Sequence, residues 1–226
     1  MLTGVSRGIG FETAKRALAE GARVLGVAKD EARLAKATES LRGLGDFAPL
    51  RADLREPGAP RRVEDAVRER WGALDVLFNN AAILIAGAAR SFEDEPSLAL
   101  EESLEANVLA PYRLSMRLLP LLRAGREPRI VNVGSGAGTF EGVRLGGIAS
   151  YRLSKWALNG LTLLLATHLA GHVAVNGFDP GWVKTDLGGP NAPGSPVDSA
   201  EGALAVLTLP FEVTGKLWKD GVEIPF

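Results

Sequence analysis

Five short runs of almost unbroken apolar residues, at positions 23–28, 47–52, 74–78, 129–133 and 173–178, punctuate the chain, with helical stretches between them. Such runs lack the in-and-out alternation of a sheet with one wet face, so each predicts a strand covered on both sides. Strand and helix in alternation then predict an α/β fold, a doubly wound parallel sheet between two layers of helices. No break in composition, repeat or low-complexity tract divides residues 1–226, which read as a single domain. Two glycine- and proline-rich stretches, 134–147 and 188–196, interrupt the rhythm late in the chain. Loops there lie beyond the carboxyl ends of the strands, where sheets of this kind bind ligands.

The chain opens on Thr3-Gly4-Val5-Ser6-Arg7-Gly8-Ile9-Gly10. Three glycines at these spacings suit a strand-to-helix turn whose backbone closely approaches a pyrophosphate, with unpaired N–H groups at the helix start facing the charge. Ile9, Thr13, Ala14, Ala17 and Leu18 then share one helical face, and Gly21 supplies a stop. A plain turn is the competing reading of the glycines alone. Only Met1 and Leu2 precede the motif, so the strand that should lead into it, central in a parallel sheet, is cut short. A gene start assigned a few codons late or a shortened strand accounts for this; a protein that binds nucleotide poorly is the alternative.

Composition narrows the functional classes. A length of 226 residues, 46% hydrophobic and 23% charged, with a net charge of −1, describes an ordinary globule with no basic face for nucleic acid. There is no cysteine, which excludes disulfides and thiolate metal sites and makes a reducing cytoplasm the natural setting. The most apolar helical stretch, 161–170, contains His168 and is too short to span a bilayer, and no basic region followed by an apolar run opens the chain. His168 and His172 have no third ligand nearby, so no metal site is expected, and packing or a helix-dipole role suits them better.

The chemistry centres on Tyr151-Arg152-Leu153-Ser154-Lys155. A tyrosine and a lysine four apart on a helix share a face, and an ammonium beside a phenol favours the phenolate. The pair therefore predicts a general acid/base working near neutral pH.

With its other marks, the chain resembles the short-chain dehydrogenase/reductase family, from Thr3 to nearly the last residue. These marks are the glycine turn, Asp53-Leu54 after the third strand, Asn79-Asn80-Ala81-Ala82 after the fourth, Asn107 in the following helix and Ser135 after the fifth. Tyr151-x-x-x-Lys155 and Pro180-Gly181-Trp182-Val183-Lys184-Thr185 complete them, and the sequence from Pro180 to Asn191 with the closing 215–225 is similar to the carbonyl-reductase-like branch. The resemblance implies a Rossmann fold and an oxidoreductase that reduces a ketone or aldehyde to an alcohol. In it, Tyr151 passes a proton to the carbonyl oxygen, Ser135 holds that oxygen, and Lys155 holds the nicotinamide ribose hydroxyls and, with the positive nicotinamide of the oxidised cofactor, lowers the tyrosine's pKa. Asn107 completes the catalytic set through its main-chain carbonyl, which Pro111, having no N–H, leaves free for a water. The cofactor is expected against Gly4, Ser6, Arg7, Gly8, Ile9 and Gly10, with Asp53 and Leu54 at the adenine and Asn80 and Ala81 at its ribose. Pro180, Gly181, Val183 and Thr185 are expected at the nicotinamide.

Ala28 stands where NAD-preferring members of the family carry a carboxylate, while Lys29 and Arg7 flank the place of a 2′-phosphate, so NADP(H) is the expected cofactor. Ala82 and Gly134 depart from the family pattern, which has a glycine and commonly a serine there. Asp179 faces either the substrate or the backbone amides of its own loop. Trp182 and Leu187 form either a lid or part of the core. Phe140, Val143, Leu145 and Ile148 extend a substrate loop. A 3-oxoacyl-carrier-protein reductase, for which Arg113, Arg117 and Arg123 are either a landing patch or a solvated face, and a nucleotide-binding protein without turnover are the other function classes. The partners implied are a small carbonyl or alcohol substrate and further copies of the chain, as a dimer or tetramer, with no nucleic acid and no membrane.

Overall fold

The computed structural model describes residues 1–85 and 91–226. Its backbone is organised on one eight-stranded sheet of order β3-β2-β1-β4-β5-β6-β7-β8. The strands are β1 (Leu2–Thr3), β2 (Val24–Ala28), β3 (Phe47–Arg51), β4 (Val76–Asn79), β5 (Arg129–Val133), β6 (Ala174–Phe178), β7 (Leu217–Lys219) and β8 (Val222–Ile224). All neighbours run parallel except β8, which folds back antiparallel on β7. The expected doubly wound sheet is therefore present, and the run at 129–133 is a strand over its full predicted length.

Two of the other runs are trimmed where a backbone group finds a partner outside the ladder. Leu74 N–H bonds the carbonyl of Leu121 at a helix end, so β4 begins only at Val76 and runs on to Asn79. Val173 N–H bonds Leu169, which closes the preceding helix, so β6 begins one residue late. Ala52 N–H still reaches Ala28 at 3.0 Å, although β3 ends at Arg51.

Alternate side chains of the central strands feed two apolar layers. On one face Leu25, Val27, Leu77, Ile130 and Val175 pack against α3 (Ala59–Trp71), α5 (Ala110–Arg123) and α7 (Ala149–His168), through buried Val63, Val67, Leu114, Leu118 and Leu165; the short helices α4 (Ala99–Leu104) and α6 (Phe140–Arg144) precede α5 and α7. On the other, Val24, Phe78, Val131, Val133 and Phe178 meet α1 (Gly8–Ala19), α2 (Glu31–Arg42) and α8 (Pro196–Leu207) through Ala14, Leu18, Leu34, Leu41, Ala203 and Val206. A side chain buried fully in these layers contributes roughly 1.5–3 kcal/mol, so the sheet is held from both sides along its centre.

The first strand is short, as expected, yet central. Leu2 and Thr3 pair with Gly26 and Val27 of β2, and Leu2 also pairs with Phe78 of β4. Met1 extends the ladder: its terminal ammonium donates to Val76 O at 2.9 Å and its carbonyl accepts from Phe78 N–H at 2.9 Å. Burial and low dielectric push that ammonium down to about 5, against a smaller upward pull from Asp75.

Candidate active site

Three elements meet above the carboxyl ends of β1, β4 and β5. The glycine turn comes first. Gly4 and Gly8 have φ of 72° and 59°, a left-handed backbone that favours glycine. A methyl at Gly10 would overlap the Gly4 carbonyl, and one at Gly4 would lie 2.7 Å from Asn80 Nδ2. Asn80 Nδ2 donates to Thr3 O at 2.8 Å and Gly4 O at 3.3 Å, while Thr3 Oγ1 accepts the N–H groups of Asn80 and Ala81 at 2.9 Å each. The turn is thus locked by the Asn-Asn-Ala-Ala segment. Helix α1 then begins at Gly8 with no side-chain cap and no carboxylate in its first turn, so its positive end is left for an anion.

A cavity of about 940 Å³ opens over this turn. Gly4, Ser6, Arg7, Gly8, Ile9, Lys29, Asp53, Leu54, Asn80, Ala81, Ser135, Tyr151, Lys155, Pro180, Gly181, Val183 and Thr185 all line it. Two expected residues do not: Gly10 and Asn107 stand behind the wall. Gly10 is covered by the Gly4 carbonyl and the Asn80 amide. Asn107 is 1% exposed, and its side chain is fully engaged in joining the wall to α7: Nδ2 donates to Ile83 O and Ser154 Oγ at 2.9 Å each, and Oδ1 accepts from Ile83 N–H at 2.9 Å. It lies in a π-helical turn, Glu105–Leu109, just ahead of Pro111. Turns of this kind are concentrated at functional sites.

Ser135 and Tyr151 come together because two backbones touch. After β5 the chain makes a 3₁₀ turn, Gly136–Gly138, capped by Ser135 Oγ, which accepts from Ala137 N–H at 3.1 Å. A methyl at Gly138 would overlap the main chain of Lys155, so this turn lies directly on α7, and Asn159 Nδ2 bonds Gly138 O at 2.9 Å to hold it there. Gly134, which replaces a serine of the family pattern, has its side-chain space filled by Asn159 Oδ1, 2.7 Å from where its Cβ would be.

The electrostatics differ from the expectation that Lys155 makes the phenol acidic. Tyr151 is pushed up to about 12, first by burial; the Ser135 hydroxyl opposes this, and the charge of Asp179 adds to it. Lys155, 2% exposed, is pushed down to about 8 by burial, with Asp179 pulling it up. Its Nζ donates to Val133 O at 2.7 Å and lies 5.7 Å from the centre of the tyrosine ring. Desolvation therefore outweighs the pairing of phenol and ammonium.

Asp179 combines both alternatives read from the sequence. Oδ1 accepts Gly181 N–H at 3.0 Å, and the residue also lines the cavity, with Oδ2 3.8 Å from Lys219 Nζ. Trp182 and Leu187 are 59% and 38% exposed and border the cavity, so they are not core residues. In the substrate loop, Leu145 and Ile148 reach the cavity, and Arg152 fastens the loop through the carbonyls of Gly142, Gly146 and Gly147. His168 ends α7 with Nδ1 2.8 Å from Leu164 O.

Beyond β3 Asp53 is held by Arg55 at 2.7 Å and pushed down to about 2 by that hydrogen bond. Arg7 is paired with Asp186, and Arg33 NH1 lies 3.3 Å from the same Asp186 Oδ2. Neither Arg33 nor Asp186 is singled out by the sequence, since the contact between them spans 153 positions. Close-approach glycines and an uncapped helix start fit the pyrophosphate of a nicotinamide dinucleotide.

Comparison with known proteins gives a consistent result. Residues 1–194 match the short chain dehydrogenase family. The chain is 36% identical over 187 residues to the rhamnolipids biosynthesis 3-oxoacyl-[acyl-carrier-protein] reductase of Pseudomonas aeruginosa, covering 80% of this chain and 71% of that protein. It superposes on NADPH-bound carbonyl reductase from chicken fatty liver with a TM-score of 0.91 at 27% identity, over 100% of this chain and 97% of the other. A short chain dehydrogenase from Burkholderia cenocepacia in complex with NADP gives a TM-score of 0.84 at 30% identity, over 97% and 95% of the two chains.

Proposed function

The chain belongs to the short-chain dehydrogenase family and is an oxidoreductase acting on carbonyl or alcohol groups, and we propose that it is an NADP(H)-dependent carbonyl reductase in which Tyr151 is the general acid/base. The observation that carries this reading is that Ser135, Tyr151 and Lys155 line the same cavity as the glycine turn. A bound nicotinamide supplies the hydride. Ser135 donates a hydrogen bond to the substrate oxygen and fixes it beside Tyr151, which gives its phenolic proton to that oxygen as the carbon is reduced. Lys155 has three donors and uses one on Val133 O, which leaves two for the ribose hydroxyls. Asn107 acts by position, keeping the wall at Ile83 against α7. Leu145, Ile148 and Trp182 give the substrate end an apolar rim, which suits a carbonyl compound with an uncharged portion.

Steady-state reduction of small aldehydes and ketones with NADPH and with NADH tests the reading, the expected outcome being the larger kcat/KM with NADPH. A clear NADH preference overturns the cofactor assignment, and binding without turnover on any carbonyl favours a nucleotide-binding protein. The similarity to the Pseudomonas aeruginosa reductase keeps a carrier-bound 3-oxoacyl substrate as the second reading. Arg113 weighs against it, because Glu105 pairs with it, whereas Arg117 shares Glu64 with Arg68 and is only partly neutralised.

A second copy of the chain is the proposed macromolecular partner. Leu109 and Tyr112, with Trp156, Leu163 and Leu164 of α7, are large apolar side chains left exposed, Leu164 being 60% exposed. Exposed apolar side chains on neighbouring stretches suit an interface. Sedimentation should show a dimer or a larger symmetric assembly, and Leu164→Glu should shift it toward monomer with unchanged circular dichroism; a monomeric parent chain contradicts the proposal. A cytoplasmic setting accompanies this reading; among the described residues no helix is long and apolar enough to cross a membrane.

A further inference from the structure

The contact of Arg7 and Arg33 with Asp186 joins two parts of the chain with different tasks. Arg7 is the residue before α1 in the glycine turn, and Arg33 stands in the first turn of α2, just beyond β2. Asp186 belongs to the loop that follows Thr185 and borders the cavity beside Trp182 and Leu187. This loop lies on the glycine turn itself: a methyl at Gly8 would come within 3.1 Å of Thr185 Cγ2. The loop is also internally braced, with Gly188 N–H on Thr185 Oγ1 at 3.1 Å and Lys184 N–H on Gly194 O at 2.9 Å, so Asp186 is presented by a defined backbone.

One carboxylate oxygen, Oδ2, receives both guanidiniums. Two arginines from different elements converging on one oxygen form an anion site, since guanidiniums repel unless an anion lies between them. Asp30 is the other carboxylate whose charge reaches Arg7 and Arg33, but it is committed to the start of α2. Asp30 caps α2 through Oδ1, which accepts Arg33 N–H at 2.9 Å, and its Oδ2 is 4.0 Å from Arg33 Nε. Glu31 faces Arg51, and Lys29 lines the cavity.

We propose that Asp186 is a cofactor-specificity residue whose carboxylate holds the place between Arg7 and Arg33 that the cofactor's 2′-phosphate must take. The inference rests on the NADP(H) reading above and deepens it. A dinucleotide carrying the phosphate exchanges one anion for another and detaches the Asp186 loop from the glycine turn. One lacking it leaves the loop tied. Asp186 thus subtracts from the affinity for the phosphorylated cofactor and links its arrival to the segment carrying Trp182 and Leu187. Arg33, rather than Lys29, is the second cation of the site.

The experiment compares the parent chain with Asp186→Asn by calorimetric titration of NADPH, NADH and adenosine 2′,5′-bisphosphate at low salt. The three side chains are half-exposed or more, so the pair exchanged is a surface one, and the expected gain is roughly two- to fivefold in affinity for NADPH and for the bisphosphate, with NADH unchanged. Arg33→Gln added to Asp186→Asn should remove the gain. An unchanged ratio of NADPH to NADH affinity, or an equal rise for both, overturns the inference, because NADH carries the same pyrophosphate and reports any general change of charge. The parent chain's own ratio is read separately and judges the cofactor assignment by itself. A parent with no preference and an Asp186→Asn variant that gains one still supports the role of Asp186.

Discussion

Replacing Tyr151 by phenylalanine is expected to lower kcat for carbonyl reduction by roughly a hundred- to ten-thousandfold, the range general acid catalysis contributes, with little change in Kd for NADPH. The substitution removes one hydroxyl from a buried ring and leaves its packing in place. It exposes no new charge, because Lys155 Nζ remains on Val133 O. Thermal stability should therefore be close to the parent's, which separates a chemical loss from a folding loss. Retention of more than about a tenth of kcat would remove Tyr151 from the proton path. The pH profile adds a second check. With the phenol at about 12, Tyr151 stays protonated through the usual assay range, and the group that titrates within it is Lys155 at about 8. Reduction should then decline as pH rises through about 8, where the ammonium is lost. A profile flat from pH 7 to pH 9 would mean that Lys155 does not bear on the step.

The second large effect concerns folding. A chain that begins at Met1 buries its terminal ammonium, whose pKa falls from 8.0 unfolded to about 5 folded. A lowered amine binds its proton less well when folded, so the unfolded chain holds more protons between those values and stability rises with pH across that window. The stabilisation is on the order of a few kcal/mol, fully present above pH 8 and lost below pH 5. Urea denaturation at pH 5.5 and 8.5 measures it. Lys155, lowered to about 8 from 10.5, acts with the same sign but above this window, and Asp53, lowered to about 2, acts below it. Acetylating the terminal amine, or preceding Met1 with apolar residues that lengthen β1, should abolish most of the slope. An identical slope in the acetylated chain would show that the ammonium is not the cause.

Much of this architecture is legible in the residues. Runs covered on both faces announce themselves by unbroken apolar character, which is why β5 is found at its full predicted length, while ends such as Leu74 and Val173 depend on a helix carbonyl that no local pattern encodes. Strands β7 and β8 escape prediction because three residues, with Val222 and Glu223 exposed, carry too little apolar signal. The motifs bring most of their residues to one cavity, yet its charges are not legible in them: the acidity of Tyr151 depends on burial, and the Arg33 contact with Asp186 is created only by the fold. Asn107 is legible as a residue of the site, although its side chain turns out to serve as a brace.

The two margins of the sheet fix where copies of this protein cannot join. At one margin β3, bonded only to β2, carries Pro49, whose ring offers no N–H to an incoming strand. At the other, β8 is a three-residue strand that ends just before Pro225. Both borders are blunted against strand addition, a protection against runaway edge-to-edge growth into fibres.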